Sequence, residues 1–219
     1  MTIYLSFSGG MDSTALLARA VADSSDVVAV SFRYGQRHVR EVRSATAIAA
    51  QYGVRRAVVD LPHLSSPSLT GDQPVPHGHY AAESMKATVV QGRNLLFIAA
   101  LVGMAQPGDE VWVGVHAGDH AVYGDCRPAF IYPLQDALRA AYGVELVVPY
   151  IDTDKAGIAR DGAAHEAPLG LSWSCYEGGD VHCGRCGTCV ERAEAFHLAG
   201  LPDPTVYADA EFWREAVGL

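Results

Sequence analysis

The sequence has no excess of basic charge, no apolar run of membrane length, no leader-like start and no low-complexity tract. Lys and Arg number 16 against 25 Asp and Glu, a formal net charge of -9. That balance argues against a duplex-DNA binder, which needs a basic face to neutralise phosphates, and no direct nucleic-acid partner is expected. A small anionic substrate remains compatible, because the local field matters more than the total. Arginines do gather locally, at Arg33, Arg37, Arg40 and Arg43 and again at Arg55 and Arg56. The longest strongly apolar run, Leu95 to Met104, falls short of the ~20 residues that cross a bilayer, so no membrane partner is expected. The opening MTIYLSFSGG lacks a basic stretch followed by an apolar one. The expected location is therefore cytoplasmic.

What is present is an ordinary globular composition. In 219 residues, 49% are hydrophobic and 19% charged, which suits one domain, residues 1–219, with residues 165–219 as an integral C-terminal subdomain. Residues 3–7 (IYLSF), 27–32, 57–61, 111–116 and 145–149 read as buried strands. Helical spacing follows the first at Leu16, Leu17, Ala20 and Val21, and follows the second from Val39 to Tyr52. Residues 93–105 are apolar nearly all round, which predicts a buried helix. Phe130, Ile131, Leu134, Leu138 and Ala141 mark another, and Thr153 is placed to cap a short helix through Ile158. Residues 62–88 are rich in Pro, Gly, Ser and His without periodicity, the signature of a functional loop or lid. Strand and helix in alternation predict an α/β fold: a mostly parallel sheet with helices on both faces and ligands at the carboxyl ends of its strands.

Two motifs carry chemistry. Ser8-Gly9-Gly10-Met11-Asp12-Ser13 lies between the first strand and the first helix. Its glycines let backbone N–H groups approach an anion, and the helix terminus adds positive charge. Ser8 and Ser13 can donate to phosphate oxygens. Asp12 would repel phosphate unless a cation intervenes, which points to Mg²⁺ arriving with the nucleotide. The loop is neither a Walker A sequence nor a dinucleotide fingerprint.

The second motif is Cys175, Cys183, Cys186 and Cys189, four thiols within fifteen residues, with Gly184 and Gly187 permitting tight turns. Four soft ligands suit one tetrahedral Zn²⁺. A closed set leaves no place for an activated water, so the metal's role is structural. Two disulfides or an iron–sulfur cluster are the competing readings. Arg185, Arg192 and His182 stand close in sequence to offset the cluster's negative charge. Cys126 stands apart and reads as a small buried side chain.

SGGMDS resembles the PP-loop of the ATP pyrophosphatase superfamily. Further along the chain come YGQRH (34–38) with Glu41 after it, GRN (92–94), Asp119, DCRPAFI (125–131), Lys155, WSCY (173–176), CGRCGTC (183–189) with Arg192 and Phe196, and DPTVY (203–207). With these in this order, the chain resembles the 7-cyano-7-deazaguanine synthases over nearly its whole length.

The resemblance implies a Rossmann-like sheet of the adenine nucleotide alpha hydrolase type with a small zinc-binding subdomain near the C-terminus. It implies 7-carboxy-7-deazaguanine, ATP and ammonia as substrates. Two adenylations, through an acyl adenylate and an amide, would give the nitrile, AMP and pyrophosphate. The phosphate loop would be Phe7, Ser8, Gly9, Gly10, Met11, Asp12, Ser13 and Thr14. Arg37, Arg93, Arg127 and Lys155 are the cations that would hold a carboxylate and a triphosphate together, with Asp12 and Asp119 beside them as catalytic candidates. Gln36, His38, Asn94, His116 and Asp125, with Arg37, Arg93 and Asp119, are the candidates for the substrate. The expected assembly is a homodimer. The chain departs from the family pattern at Gln91, His116 and His120-Ala121-Val122 with Gly124, in loops expected to face the substrate. These departures leave two end points open, the nitrile or the amide. A tRNA-modifying PP-loop enzyme is the more distant alternative, set against the acidic balance.

Overall fold

The computed structural model describes residues 1–219 apart from Ser25, His38 and Val39. Five strands, β1 (Ile3–Ser6), β2 (Val27–Arg33), β3 (Arg55–Asp60), β4 (Glu110–Trp112) and β5 (Glu145–Val147), form one sheet in the order β3-β2-β1-β4-β5. Every pairing is parallel, with Leu5 opposite Ala29 on one side and Trp112 on the other. The chain winds outward from β1 to β3 and then crosses back to β4. The direction of winding therefore reverses at β1 and β4, and their carboxyl ends border the crevice where such sheets bind ligands.

The period-2 alternation of the strands splits the core in two. Ile3, Leu5, Val27, Ala29 and Trp112 pack against α1 (Met11–Asp23), α2 (Arg40–Tyr52), α5 (Lys155–Ala164) and α6 (Gly187–Ala199). Val28, Val30, Phe32, Val111 and Val113 pack on the other face against α3 (Arg93–Val102) and α4 (Pro128–Tyr142). Both faces are covered, so the strands read as continuous apolar runs. No helix is long and apolar enough to cross a membrane among the described residues.

Several expectations need correction. The expected buried helix over 93–105 ends at Val102 and is amphipathic: Ile98 and Leu101 are buried, but Leu95 and Leu96 are 44% and 38% exposed. The cap of α5 is Asp154 rather than Thr153, its carboxylate accepting from the Gly157 N–H at 2.6 Å. The fourth strand stops at Trp112, because the chain beyond it turns towards a 3₁₀ segment at Ala117–Ala121. Two helices escaped the pattern, α6, which starts inside the cysteine cluster, and α7 (Phe212–Val217). Residues 61–92 hold only a 3₁₀ turn at Glu83–Thr88, yet they are tied down. The Gly78 N–H donates to the Arg185 carbonyl at 3.0 Å, and His77 pairs with Glu177 at 2.9 Å. Ala195 and Phe196 of α6 pack into the main core, which agrees with the expectation of a C-terminal segment integral to the domain rather than correcting it.

Candidate active site and metal centre

The loop after β1 is shaped by its own hydroxyls. Gly9 adopts φ +86°, and a β-carbon there would lie 2.5 Å from the Ala45 nitrogen and 2.7 Å from the Glu41 carbonyl oxygen. Only glycine allows that approach to α2. Gly10 N-caps α1, and the Thr14 and Ser13 hydroxyls donate to its carbonyl at 2.8 and 3.1 Å. The Gly9 N–H donates to Ser13 Oγ and the Gly10 N–H to Ser8 Oγ. Phe7, Ser8, Gly10, Met11, Asp12 and Ser13 line a cleft of about 260 Å³; Gly9 and Thr14 support the loop from behind.

One wall of the cleft is a charged cluster. Lys155 Nζ donates to Asp12 Oδ2 at 2.7 Å and pairs with Glu191 Oε2 at 3.1 Å. The side chains of Lys155, Asp12 and Glu191 are only 15%, 26% and 10% exposed. Burial pushes the Asp12 carboxyl up, but the Lys155 ammonium and the His116 ring outweigh it and hold the group below its usual 3.8. Burial likewise pushes Lys155 down, and the carboxylates of Asp12, Glu191 and Asp119 more than reverse that. The second oxygen of Asp12, Oδ1, is buried with no hydrogen-bond partner among the described residues. A buried orphan acceptor of this kind marks a place for a cation or a donor.

His116 and Asp119 complete the cluster. The Gly118 N–H donates to His116 Nδ1 at 3.1 Å, and Lys155 Nζ lies 3.3 Å from the other ring nitrogen, Nε2, which faces the cluster. That nitrogen lies 3.6 Å from Asp119 Oδ2 and 3.9 Å from both Asp12 and Glu191. The His116 N–H in turn donates to Asp119, making a reciprocal cap of the 3₁₀ segment. His116 thus braces the cluster without lining the cleft, whereas Asp119, Lys155 and Glu191 do line it. Glu191 was not singled out in the sequence. It lies 36 positions from Lys155, and no local spacing links the two.

The other end of the cleft is aromatic. Phe32 and Phe97 stack at 4.1 Å, and Tyr34, Tyr123 and Tyr176 surround Arg93. Arg93 reaches the Tyr34 hydroxyl at 3.5 Å and stands over the Tyr123 ring; it has no carboxylate within 4.0 Å among the described residues. An unpaired guanidinium in a cleft suits an anionic ligand group.

The remaining candidates are spread more widely. Asn94 lines the cleft, its amide donating to Cys126 Sγ at 3.2 Å. Gln36 lines it too, but its amide staples the chain, accepting from the Tyr34 N–H and donating to the Phe32 carbonyl, both at 2.8 Å. Arg37 opens onto a smaller neighbouring cavity and donates to the Ser68 and Gln73 carbonyls. Asp125 accepts from the Asn94 N–H at the start of α3, and exposed Arg127 donates to the His120 carbonyl; neither lines the cleft. His38 lies outside the described residues. Burial, Asp119 and Asp125 all push the Cys126 thiol up, which keeps it protonated and inert.

The four clustered sulfurs lie within 4.8 Å of one another, with Cys183 and Cys189 Sγ 3.9 Å apart. Sulfurs sharing a tetrahedral Zn²⁺ at about 2.3 Å stand at such separations. The Cys183 N–H donates to Cys175 Sγ, and the Arg185 and Cys186 N–H groups donate to Cys183 Sγ, at 3.2–3.3 Å. The group can hold a metal ion, and its position also fixes α6, which Cys186 caps. Two of the three side chains named for the charge offset do not supply it, while Arg192 has only uncharged partners. Arg185 pairs with Asp209, and burial with Arg192 nearby pushes His182 down to about 4, so it is neutral. Arg192 is 1% exposed and donates to Ser172, Ser174 and Thr205 hydroxyls and the Leu169 carbonyl.

A family model described as "Queuosine biosynthesis protein QueC" matches residues 2–200. A 7-cyano-7-deazaguanine synthase of Rhizobium leguminosarum bv. trifolii is 50% identical over 96% of this chain and 93% of that protein. Proteins of the same description from Brucella anthropi and Ruegeria pomeroyi are 48% and 46% identical, again over 96% of this chain and covering 95% and 96% of their own lengths. Among solved structures, an NMN synthetase from Francisella tularensis aligns with a TM-score of 0.49 and 14% identity, covering 98% of this chain and 84% of that one.

Proposed function

The chain belongs to the QueC family of queuosine biosynthesis proteins, and on that premise we propose that it converts 7-carboxy-7-deazaguanine, ammonia and two ATP into 7-cyano-7-deazaguanine. The observation that carries the reading is the juxtaposition, in one cleft at the carboxyl ends of β1 and β4, of the Gly-rich loop, the Asp12–Lys155–Glu191 cluster and the unpaired Arg93. A carboxylate and a triphosphate repel each other. Bringing them together needs fixed cations and oriented donors of this kind.

In the first step a carboxylate oxygen attacks the α-phosphorus, the bond to the β-phosphate breaks, and pyrophosphate leaves. Ser8, Ser13 and the loop N–H groups receive the departing phosphates, while Lys155 stands as a point charge at the developing negative charge. Ammonia then attacks the acyl carbon. AMP leaves with one of the original carboxylate oxygens, and one N–H proton is lost. In the second round the amide oxygen attacks the α-phosphorus of another ATP, the bond to the β-phosphate breaks and a second pyrophosphate leaves. Loss of the two remaining N–H protons and of AMP forms the nitrile. Arg93 pairs with the substrate carboxylate until adenylation removes its charge.

Mg²⁺ arriving with ATP would neutralise triphosphate charge, and Asp12, through its unpartnered Oδ1, and Asp119 are the side chains to hold it. Zn²⁺ on Cys175, Cys183, Cys186 and Cys189 would serve the fold, since four thiolates close its coordination sphere. The test is mass spectrometry of the product from 7-carboxy-7-deazaguanine, ammonium and Mg-ATP. Nitrile with two AMP per turnover supports the reading. Amide with one AMP places the end point earlier, and no conversion rejects it.

A further inference from the structure

Four carboxylates line the cleft: Asp12, Glu41, Asp119 and Glu191. Three have partners. Asp12 and Glu191 share Lys155, and Asp119 accepts from the His116 N–H. Glu41, on the first turn of α2, makes no hydrogen bond and no ion pair within 4.0 Å among the described residues; Arg93 is the cation whose field reaches it. Burial lifts its carboxyl from 4.5 to about 7 against that field. Glu41 is half-buried, and a carboxylate that lines a cleft without a protein partner is placed to meet a donor on a ligand.

The surroundings narrow the ligand. Glu41 shares its stretch of the cleft with Tyr34, Gln36 and Tyr176, close to the flat faces of Phe32 and Phe97. These suit a planar heterocycle. Gln36 is committed to the backbone on both sides of its amide, and the Asn94 amide nitrogen to Cys126. That leaves Glu41 as the carboxylate without a partner at this end among the described residues, beside the free amide oxygen of Asn94. An ionised carboxylate is acceptor-only and matches two adjacent N–H donors. A guanine-type ring offers such a pair, its ring N–H beside its exocyclic amino group. An adenine ring offers an acceptor beside its amino group, which an ionised carboxylate repels.

Resting on the reading of the cleft given above, we propose that Glu41 recognises the guanine-type edge of the substrate, its two oxygens accepting from the ring N–H and the exocyclic amino group. Arg93, at the same end, then meets the substrate's carboxylate, so the two unpaired groups of the cleft bind the two polar ends of one molecule.

The test compares 7-carboxy-7-deazaguanine with its analogue lacking the exocyclic amino group, using wild-type protein and the Glu41→Ala and Glu41→Gln variants. AMP release gives kcat/KM for each pair, and KM for ATP is followed in parallel. Wild type should lose roughly 10- to 100-fold on the analogue, the worth of a hydrogen bond to a charged group. Glu41→Ala should lose a similar factor on the natural substrate and then treat the two compounds alike, within about twofold. Its KM for ATP should not move. Glu41→Gln, which keeps the shape of the side chain, carries the same comparison if the alanine variant does not fold. Retained discrimination in the variants overturns the assignment. So does a raised KM for ATP with discrimination intact, which would place adenine there instead. If wild type releases no AMP with 7-carboxy-7-deazaguanine, the proposed function fails and takes this assignment with it. Normal turnover with unaltered discrimination rejects Glu41 alone.

Discussion

Replacing Lys155 with Met keeps the stem of the side chain and removes its charge. In the folded protein the ammonium lies 2.7 Å from Asp12 and 3.1 Å from Glu191, and all three side chains are at most about one-quarter exposed. Removing one member of a buried ion pair leaves uncompensated charge and costs about 3–5 kcal/mol. The pH dependence follows from Asp12. In the native protein its pKa lies below 3.8, so its contribution is present above that value and is lost as pH falls through the lowered one. In Lys155→Met, burial acts with much less opposition and carries the pKa above 3.8. Ionised Asp12 then penalises the fold at neutral pH, and protonation relieves the penalty on acidification. Urea unfolding of both proteins at several pH values should show the widest gap near pH 8, narrowing towards about pH 5. AMP release should fall by at least about 100-fold, the effect of losing a placed charge at a transition state. A gap under about 1 kcal/mol at pH 8, or one that widens on acidification, would refute the reasoning.

Other perturbations probe other parts of the structure. Cys186→Ser should lower both Tm and bound zinc, because structural metal binding is coupled to folding; stoichiometric zinc with unchanged melting would remove the metal from these sulfurs. Gly9→Ala faces φ +86° and a backbone nitrogen 2.5 Å from the new carbon. It should cost more than the ~1–2 kcal/mol of left-handed strain alone and suppress AMP formation, and wild-type melting and turnover would show that the loop does not need this approach. Arg192→Met should cost about 3 kcal/mol or more in denaturant unfolding, since it strips donors from Ser172, Ser174, Thr205 and the Leu169 carbonyl at a buried site. A loss below about 1 kcal/mol would mean water replaces the guanidinium.

The sheet was legible because each strand carries its own apolar run and each crossover its own helical period. The phosphate loop and the four cysteines were legible because their chemistry lies within a few residues of chain. The charge cluster was not. Asp12, His116, Lys155 and Glu191 come from α1, the segment after β4, α5 and α6, and only the packing of those elements brings them together. Helix α6 was hidden for a related reason. Its buried face includes Glu191 and Arg192, which break the apolar pattern that would have announced it. Arg127 and Asp125 show the converse limit: residue type suggested a ligand site, while their contacts belong to local turns and a helix end.

The central claim is that the substrate's carboxylate becomes adenylated in the cleft beside the Ser8–Ser13 loop. Substrate labelled with oxygen-18 in both carboxylate oxygens tests it directly. Attack of each oxygen in turn on an α-phosphorus predicts that each AMP carries one label, that two labelled AMP form per nitrile, and that pyrophosphate stays unlabelled. Label in phosphate or pyrophosphate, or AMP without label, would contradict it.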